Sequence, residues 1–186
     1  MSMLICGVAL FCLVHFIPSI GAPIKQTMTE RLGENGYKGV FSLLLLGSFA
    51  LMILGWRSAD FTHVYAPPMA LRSVAFLIIA VAFVLLVAAS LKTRLRRIVR
   101  HPQLTAVALW AIAHLLLNGD LRSLVLFGGL GLWAVLTIAA INRREGAWSK
   151  EPAPALSAEL LLVTIAAAAL ALTVVVHPWI SGVPVW

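Results

Sequence analysis

The chain has 186 residues, of which 61% are hydrophobic and only 11% are charged, whereas a soluble domain usually carries about 25% charged residues. Long uncharged apolar runs recur along it, so a water-soluble enzyme is excluded and a protein that crosses the lipid bilayer several times is predicted. The net charge of +7 does not indicate a nucleic-acid partner, because the basic residues concentrate in alternate connections between the apolar runs.

The apolar runs predict an all-α transmembrane bundle of about six spanning helices, and at least five, with short connections. A spanning helix needs about 20 residues, with about 17 as the lower limit. The fourth run is short, so its helix is expected to extend back to His101 or to lie askew. We expect residues 1–186 to form a single integral-membrane domain, because no connection is long enough for a core of its own. The runs are residues 2–18, 39–56, 70–91, 103–117, 121–141 and 156–180.

The first run has no Lys or Arg ahead of it and no clear small-residue cleavage site, so we interpret it as a retained helix. Cys6 and Cys12 both lie on this helix, about 240° apart. They do not face each other, and two buried, inert thiols are predicted rather than a disulfide.

The first connection contains the sequence QTMTERLGENGYKG. Thr27 and Glu30 have the spacing of a capping box, which predicts a short helix at the membrane interface. Gly33 and Gly36 are expected to interrupt that helix before the second span.

Glu34 follows directly in the same connection. We expect it to pair with Arg97 or Arg100 and so to close the end of the bundle at which the first connection lies. The alternative is a solvated carboxylate, because exposed ion pairs contribute little.

The distribution of charge predicts the topology. Eleven of the fourteen basic residues lie around connections one, three and five. The positive-inside rule therefore places these connections in the cytoplasm and both termini outside. The eleven are Lys25, Arg31, Lys38, Lys92, Arg94, Arg96, Arg97, Arg100, Arg143, Arg144 and Lys150.

Asp120, in the sequence NGDL, stands directly before the fifth apolar run. Its carboxylate is expected to cap the first turn of that helix.

Two histidines lie inside apolar runs, His15 in LVHF and His114 in WAIAH. Ionisable groups in spanning helices are costly and usually pair or serve a function. Two interpretations stay open for each ring: a ligand to a cofactor, or a neutral imidazole that only hydrogen-bonds to a helix carbonyl.

A second pair, His101 and His114, is separated by thirteen residues, which is about 19.5 Å on one helix. Two imidazoles on one iron have nitrogens only about 4 Å apart, so each needs a partner elsewhere, and His15 is the other embedded candidate.

Trp110 and Asn118 share the face of His114. Trp110 is expected to pack flat against a planar ligand, and Asn118 is expected to orient a ring. A haem between helices 1 and 4 would take neutral imidazoles as axial ligands.

Depth favours a different pair. In the predicted topology His15 lies near the cytoplasmic end of helix 1 and His114 near the outer end of helix 4, with an offset of about 15 Å. On depth alone His101 is the better partner for His15. Helix tilt, a break near Pro18 or a shifted helix 4 would remove the offset.

Six motifs carry a family resemblance: LVHF, GENGYKGVFS, VYAPP, RHPQL, WAIAH and NGDL. With them, the chain resembles the NnrU family of bacterial membrane proteins, whose plant and cyanobacterial relatives are the zeta-carotene isomerases. The motifs run from helix 1 to helix 5. The resemblance implies a location in the bacterial inner membrane and an association with denitrification, through nitrite and nitric oxide reduction.

The isomerase relatives imply haem b as the cofactor. Their axial histidines match His15 and His114, and a further important histidine matches His101. They also have a cysteine three residues before the second axial histidine. Ala111 stands there in this chain, which weighs against ligand switching and isomerase activity.

Several functions remain open at this point. The first is a haem b protein that acts on or senses a small redox species such as nitric oxide. The second is a haem-dependent isomerase of a long polyene, and the third is an accessory membrane protein without haem. A methyltransferase, suggested by RHP, lacks the further polar motifs that such enzymes carry. In the haem models Arg100 is expected to reach a propionate and Tyr37 to line the cofactor site.

Overall fold

The computed structural model describes residues 1–150 and 152–183. In these ranges the protein is all-helical, and five of its helices are long and apolar enough to cross a membrane. The fourth helix, with 14 residues, is shorter. The predicted all-α bundle of five to six spans is confirmed. The helices are α1 (Ser2–Ser19), α2 (Ala22–Ser58), α3 (Arg72–Ala88), α4 (Pro102–Leu115), α5 (Leu121–Glu145) and α6 (Leu156–Ser181).

The α2 helix begins earlier than the sequence suggested. It starts at Ala22 with a proline in its first turn, and Thr27 Oγ1 donates to the carbonyl of Pro23 inside the helix. The predicted capping box is therefore wrong, because proline supplies the start and leaves Thr27 one turn further in. The break at Gly33 is confirmed: its φ of 72° is a backbone conformation that favours glycine.

Two glycines allow α1 and α2 to pack closely as an antiparallel pair. A Cβ on Gly55 would come within 2.8 Å of the carbonyl carbon of Met3, and a Cβ on Gly7 within 2.7 Å of the amide nitrogen of Met52. Leu4, at the same level, is fully buried. Small residues at such crossings let helix backbones approach, which is the main source of packing energy between helices in lipid.

The helices pack in the order α2, α1, α5, α4, α3, α6. Ala82, Leu85 and Ala106 form a small core between α3 and α4. Trp56 Nε1 donates to the carbonyl of Ser181 at 3.1 Å and so links the first and last members of this row. The α5 helix lies between α1 and α4, the two helices that carry the embedded histidines.

Contacts between connections define two ends of the bundle. At the basic end (residues 19–38, 89–101 and 142–150), Arg144 donates to the carbonyl of Ser19 and Arg100 bonds to Glu145. At the clasp end (residues 59–71 and 116–121), Val64 N donates to the carbonyl of Gly119. The grouping of connections one, three and five at one end is confirmed.

Two smaller predictions are wrong. Glu34 pairs with Lys38 Nζ at 2.8 Å rather than with an arginine, because a lysine four residues on shares its helix face. Cys6 is exposed on an outward face and Cys12 is half-buried, so the thiols are not both buried. Both cysteines are free thiols.

The close α1–α2 contact gives a prediction about stability. Gly55→Ala should lower the free energy of unfolding by about 1–3 kcal/mol, because the added methyl group overpacks the contact with Leu4. Thermal unfolding in mild detergent, followed by circular dichroism, measures the change.

Gly47→Ala on the same helix is the matched control. A Cβ at Gly47 meets no atom within 4 Å, and alanine has the higher helix propensity, so this variant should be neutral or slightly stabilised. Equal behaviour of the two variants would contradict the packing shown at Gly55.

Candidate functional site

His15 lies in the penultimate turn of α1 and takes a hydrogen bond within its own helix. Its Nδ1 is 3.0 Å from the carbonyl oxygen of Phe11, four residues earlier. A carbonyl oxygen only accepts, so Nδ1 carries the hydrogen and Nε2 keeps its lone pair. The ring centroid lies 4.1 Å from that of Phe11, 5.0 Å from Trp133 and 5.7 Å from Phe41. We call these four residues the His15 cluster.

His114 is held in the same way on α4. Its Nδ1 is 2.8 Å from the carbonyl oxygen of Trp110, again four residues earlier. Its ring stacks on Phe127 at 4.3 Å and 24°, and the ring of Trp110 lies 4.9 Å away. Trp110 therefore shares the helix face of His114, as predicted, and the two rings are in contact. The three residues form the His114 cluster.

A π-helical turn in α5 positions Phe127. Residues Leu124–Gly128 adopt this conformation, which is rare and is frequently found at functional sites. Phe127 is buried there against His114 and Trp110. Glycines follow this turn in the sequence, but they did not predict a π-helical conformation.

Asn118 lies one turn after His114, as expected, but its side chain bonds to the backbone. Its Nδ2 donates to the carbonyl oxygen of His114 at 2.9 Å. It therefore adds a side-chain bond to a carbonyl that already accepts from the amides of Leu117 and Asn118, and it does not orient the imidazole ring.

The two clusters lie at different depths along α5. His15 contacts Trp133 and His114 contacts Phe127, and six residues of helix correspond to a rise of about 9 Å. A Cβ on Gly131, between these levels, would lie 2.9 Å from the Cβ of Ala111, so α4 and α5 pack closely there. An offset in depth, expected from the topology, is present.

Two buried donors near His15 have no partner among the described residues: Trp133 Nε1 and Tyr37 Oη. Trp133 contacts the imidazole directly, and the ring of Tyr37 lies 6.0 Å from Phe41 of the same cluster. Buried donors in folded proteins are nearly always hydrogen-bonded. The surroundings of His15 therefore suit a bound group that carries acceptor oxygens.

The RHP motif lies at the basic end, apart from both clusters. His101 Nε2 is 2.9 Å from Asn142 Oδ1. Arg100 donates from Nη1 to the carbonyl of Gly146 at 2.7 Å and from Nη2 to Glu145 at 3.2 Å. These bonds join the start of α4 to the end of α5, and the described contacts bring neither residue to His15 or His114.

Asp120 organises the clasp end. Its carboxylate accepts from the amide of Ser123 at 3.1 Å and from the Ser123 hydroxyl at 2.6 Å, which confirms the predicted cap. Arg122 Nε lies 3.2 Å from the same carboxylate, and its guanidinium stands 4.5 Å from the ring centroid of Trp56. The cap is thereby tied to α2.

Tyr65, in the VYAPP motif, covers the end of α4 next to His114. Its hydroxyl donates to the carbonyls of Leu115 and, at 3.0 Å, Asn118. Gly119 is required beside it, because any Cβ there would overlap the Tyr65 carbonyl oxygen. Burial raises the pKa of the Tyr65 hydroxyl, and the Asp120 carboxylate raises it further. Sequence reasoning missed Tyr65, although its motif had been recognised.

Removal of the Tyr65 hydroxyl should weaken the clasp. Tyr65→Phe loses a bond to the α4 carbonyls, so the free energy of unfolding should fall by about 1 kcal/mol. In protein prepared without haem, Tyr37→Phe is the control, because the hydroxyl of Tyr37 has no partner in the described structure and its removal breaks no hydrogen bond.

The same variant should change the response to alkaline pH. A pKa raised in the folded state stabilises the fold below the unfolded value of about 10, and this stability is lost as the pH rises through the folded value. Tyr65→Phe should therefore lose less stability than the natural protein in thermal unfolding between about pH 8 and about pH 11. Identical pH profiles would contradict the buried environment of Tyr65.

Comparison with known proteins adds the family. No curated protein and no solved structure matches the chain. A family model described as NnrU protein matches residues 3–185, nearly the whole chain. The chain therefore belongs to the NnrU family, which the motifs of its first five helices predicted.

Proposed function

We propose that this NnrU-family protein holds haem b within the membrane through His15 and His114, and that the haem acts on a small redox ligand such as nitric oxide in nitrite and nitric oxide metabolism. One observation carries the proposal: both embedded imidazoles bind a carbonyl of their own helix through Nδ1. Metal-ligating histidines usually donate their second ring N–H in this manner, which fixes the tautomer and the ring orientation.

The residue types suit haem better than a bare metal ion. In the described residues, no three His, Cys, Asp or Glu side chains cluster as they would around such an ion. A haem iron needs only one or two protein ligands, and neutral imidazole is the commonest of them. When bound, the haem supplies an iron centre whose potential is set by its axial ligands and by the polarity around it.

The surroundings of His15 fit the polar edge of such a group. Trp133 Nε1 and Tyr37 Oη are buried donors without partners, and the haem carboxylates are acceptors. We assign these two side chains to the propionates in place of Arg100, because Arg100 bonds to Glu145 and Gly146 at the basic end and the described contacts do not bring it to His15 or His114. The aromatic rings of Phe11 and Phe41 pack against His15 and give it apolar surroundings.

His101 is the weaker candidate ligand. Its Nε2 already bonds to Asn142 Oδ1, whereas Nε2 of His114 has no hydrogen-bond partner among the described residues. Sharing one iron requires imidazole nitrogens about 4 Å apart, so His15 and His114 must close the offset between their clusters. The π turn lies directly beside His114, and such turns are frequently found at functional sites.

A second candidate, an accessory protein without haem, is favoured by the same hydrogen bonds. Each imidazole satisfies Nδ1 on its own helix, so burial of the rings needs no cofactor. The polyene isomerase has less support, because Ala111 replaces the cysteine of those relatives and is buried against α5.

Haem content of histidine variants tests the proposal. After haem-replete expression and purification in mild detergent, the natural protein should show a Soret band with bis-histidine features. His15→Ala and His114→Ala should each lose that spectrum, because one axial ligand is removed, while His101→Ala should keep it.

The reverse pattern, with a normal spectrum in His114→Ala and none in His101→Ala, would show that His101 is the partner of His15. Absence of haem from the natural protein would exclude the haem proposal and favour the accessory role. Equal helical content by circular dichroism in all three variants separates ligand loss from unfolding.

We also propose that the basic end faces the cytoplasm of a bacterial cell and that both termini lie outside the inner membrane. The support is the excess of Lys and Arg at one end of the bundle, which marks the cytoplasmic side in membrane proteins.

Reporter fusions test this orientation. A reporter that is active only outside the cytoplasm should work when it is fused after the last helix. The same reporter inserted after Gly146, in the basic connection that follows α5, should stay inactive. The opposite result would reverse the assignment.

A further inference from the structure

A cavity of about 510 Å³ lies at the basic end, between the start of α4 and the end of α5. Arg100 and His101 form one wall. Ile141 and Glu145 of α5 form another, and the following connection completes the lining with Ala147, Trp148 and Ser149. The cavity is separate from the His15 and His114 clusters, and the haem proposal makes no use of it.

The charges around this cavity favour an anion. Glu145 is its acidic wall, but that carboxylate already pairs with Arg100 at 3.2 Å and with Arg144 at 3.1 Å. Two cations therefore offset one carboxylate. Arg100 has five N–H donors and uses two of its nitrogens on Glu145 and Gly146, so donors remain.

Lys150 adds a further cation beside the cavity. Its ammonium lies 5.1 Å from the ring centroid of Trp148, a side chain of the lining, and it makes no ion pair with any described residue. A lysine held near an aromatic ring at a membrane boundary is well placed to meet a phosphate from the adjoining lipid.

The remaining walls favour an amphiphile over a soluble ion. Ile141 belongs to the apolar length of α5, which is long enough to span the bilayer. Trp148 is an aromatic side chain at the boundary of that span, the level at which Trp anchors in the headgroup region. The cavity thus joins a cationic rim to an apolar wall that continues into the membrane.

We propose that this cavity binds the headgroup of an anionic phospholipid from the leaflet at the basic end. Arg100 and Lys150 face the phosphate, and Ile141 faces the start of an acyl chain. The lipid lies against both the start of α4 and the end of α5, so it reinforces the joint that Arg100 and Glu145 make.

Quenching by brominated lipids tests the proposal with the whole protein in nanodiscs. The emission of Trp148 is obtained as the difference between the natural protein and Trp148→Phe. Brominated phosphatidylglycerol in a phosphatidylcholine disc should quench this emission more than brominated phosphatidylcholine at the same mole fraction. Lys150→Gln should reduce the preference about fivefold, because it removes the cation that faces the phosphate in the proposed site.

Lys92→Gln is the matched control, since it removes the same charge at the same end, and no described contact places Lys92 beside a lining residue as Lys150 is placed beside Trp148. Its preference should equal that of the natural protein. Equal quenching by the two lipids, or an equal loss in Lys92→Gln and Lys150→Gln, would overturn a defined site and leave diffuse attraction. Soluble glycerol phosphate should not reduce the quenching. If it abolished the preference, the site would belong to a free phosphate.

Discussion

An imidazole inside a membrane must hydrogen-bond through at least one ring nitrogen, and the part-buried rings of His15 and His114 both do so with the carbonyl four residues earlier on the same helix. Because the acceptor is a backbone carbonyl, no side chain from another helix is needed as a partner. It also fixes which nitrogen carries the hydrogen, so the opposite nitrogen of each ring keeps its lone pair. The proposed chemistry depends on those two lone pairs.

The α5 helix connects every part of this arrangement. It packs between α1 and α4, presents Trp133 to His15 and Phe127 to His114, and changes to a π turn where it meets the second ring. The RHP motif holds its basic end, and the Asp120 cap holds its clasp end. A change in the register of α5 would therefore reach both histidines at once.

Hydropathy and local rules predicted much of this structure. The spans follow from uncharged apolar runs, the Asp120 cap from a carboxylate before a helix, and the break at Gly33 from the glycine itself. These features depend on neighbours within a few residues, which a sequence displays directly. The six motifs also indicated the family correctly.

Long-range partners were harder to predict. Glu34 was expected to reach an arginine across the bundle, but Lys38 on its own helix is the nearer cation. Trp133 and Asn142 were not predicted as partners of His15 and His101, because these contacts form between segments far apart in the chain. The bonds of Tyr65 to the carbonyls of Leu115 and Asn118 were missed for the same reason. The pairing of VYAPP with NGDL, which joins the second and fourth connections through backbone bonds to Gly119, also needed the fold.

The π turn had no clear signal in the sequence. FGG predicted small residues for close helix contact, and Gly131 does lie against Ala111. The sequence did not indicate a change of helical repeat there, because the repeat depends on how Phe127 packs between Trp110, His114 and Trp56. The depth difference between the histidines, in contrast, followed from helix direction alone.

Electron paramagnetic resonance of the oxidised, haem-loaded natural protein tests the central claim most directly. If His15 and His114 supply both axial ligands, the ferric iron should give a low-spin signal typical of two imidazoles. A high-spin signal, or protein that takes up no haem, would contradict the claim that the two free nitrogens share one iron.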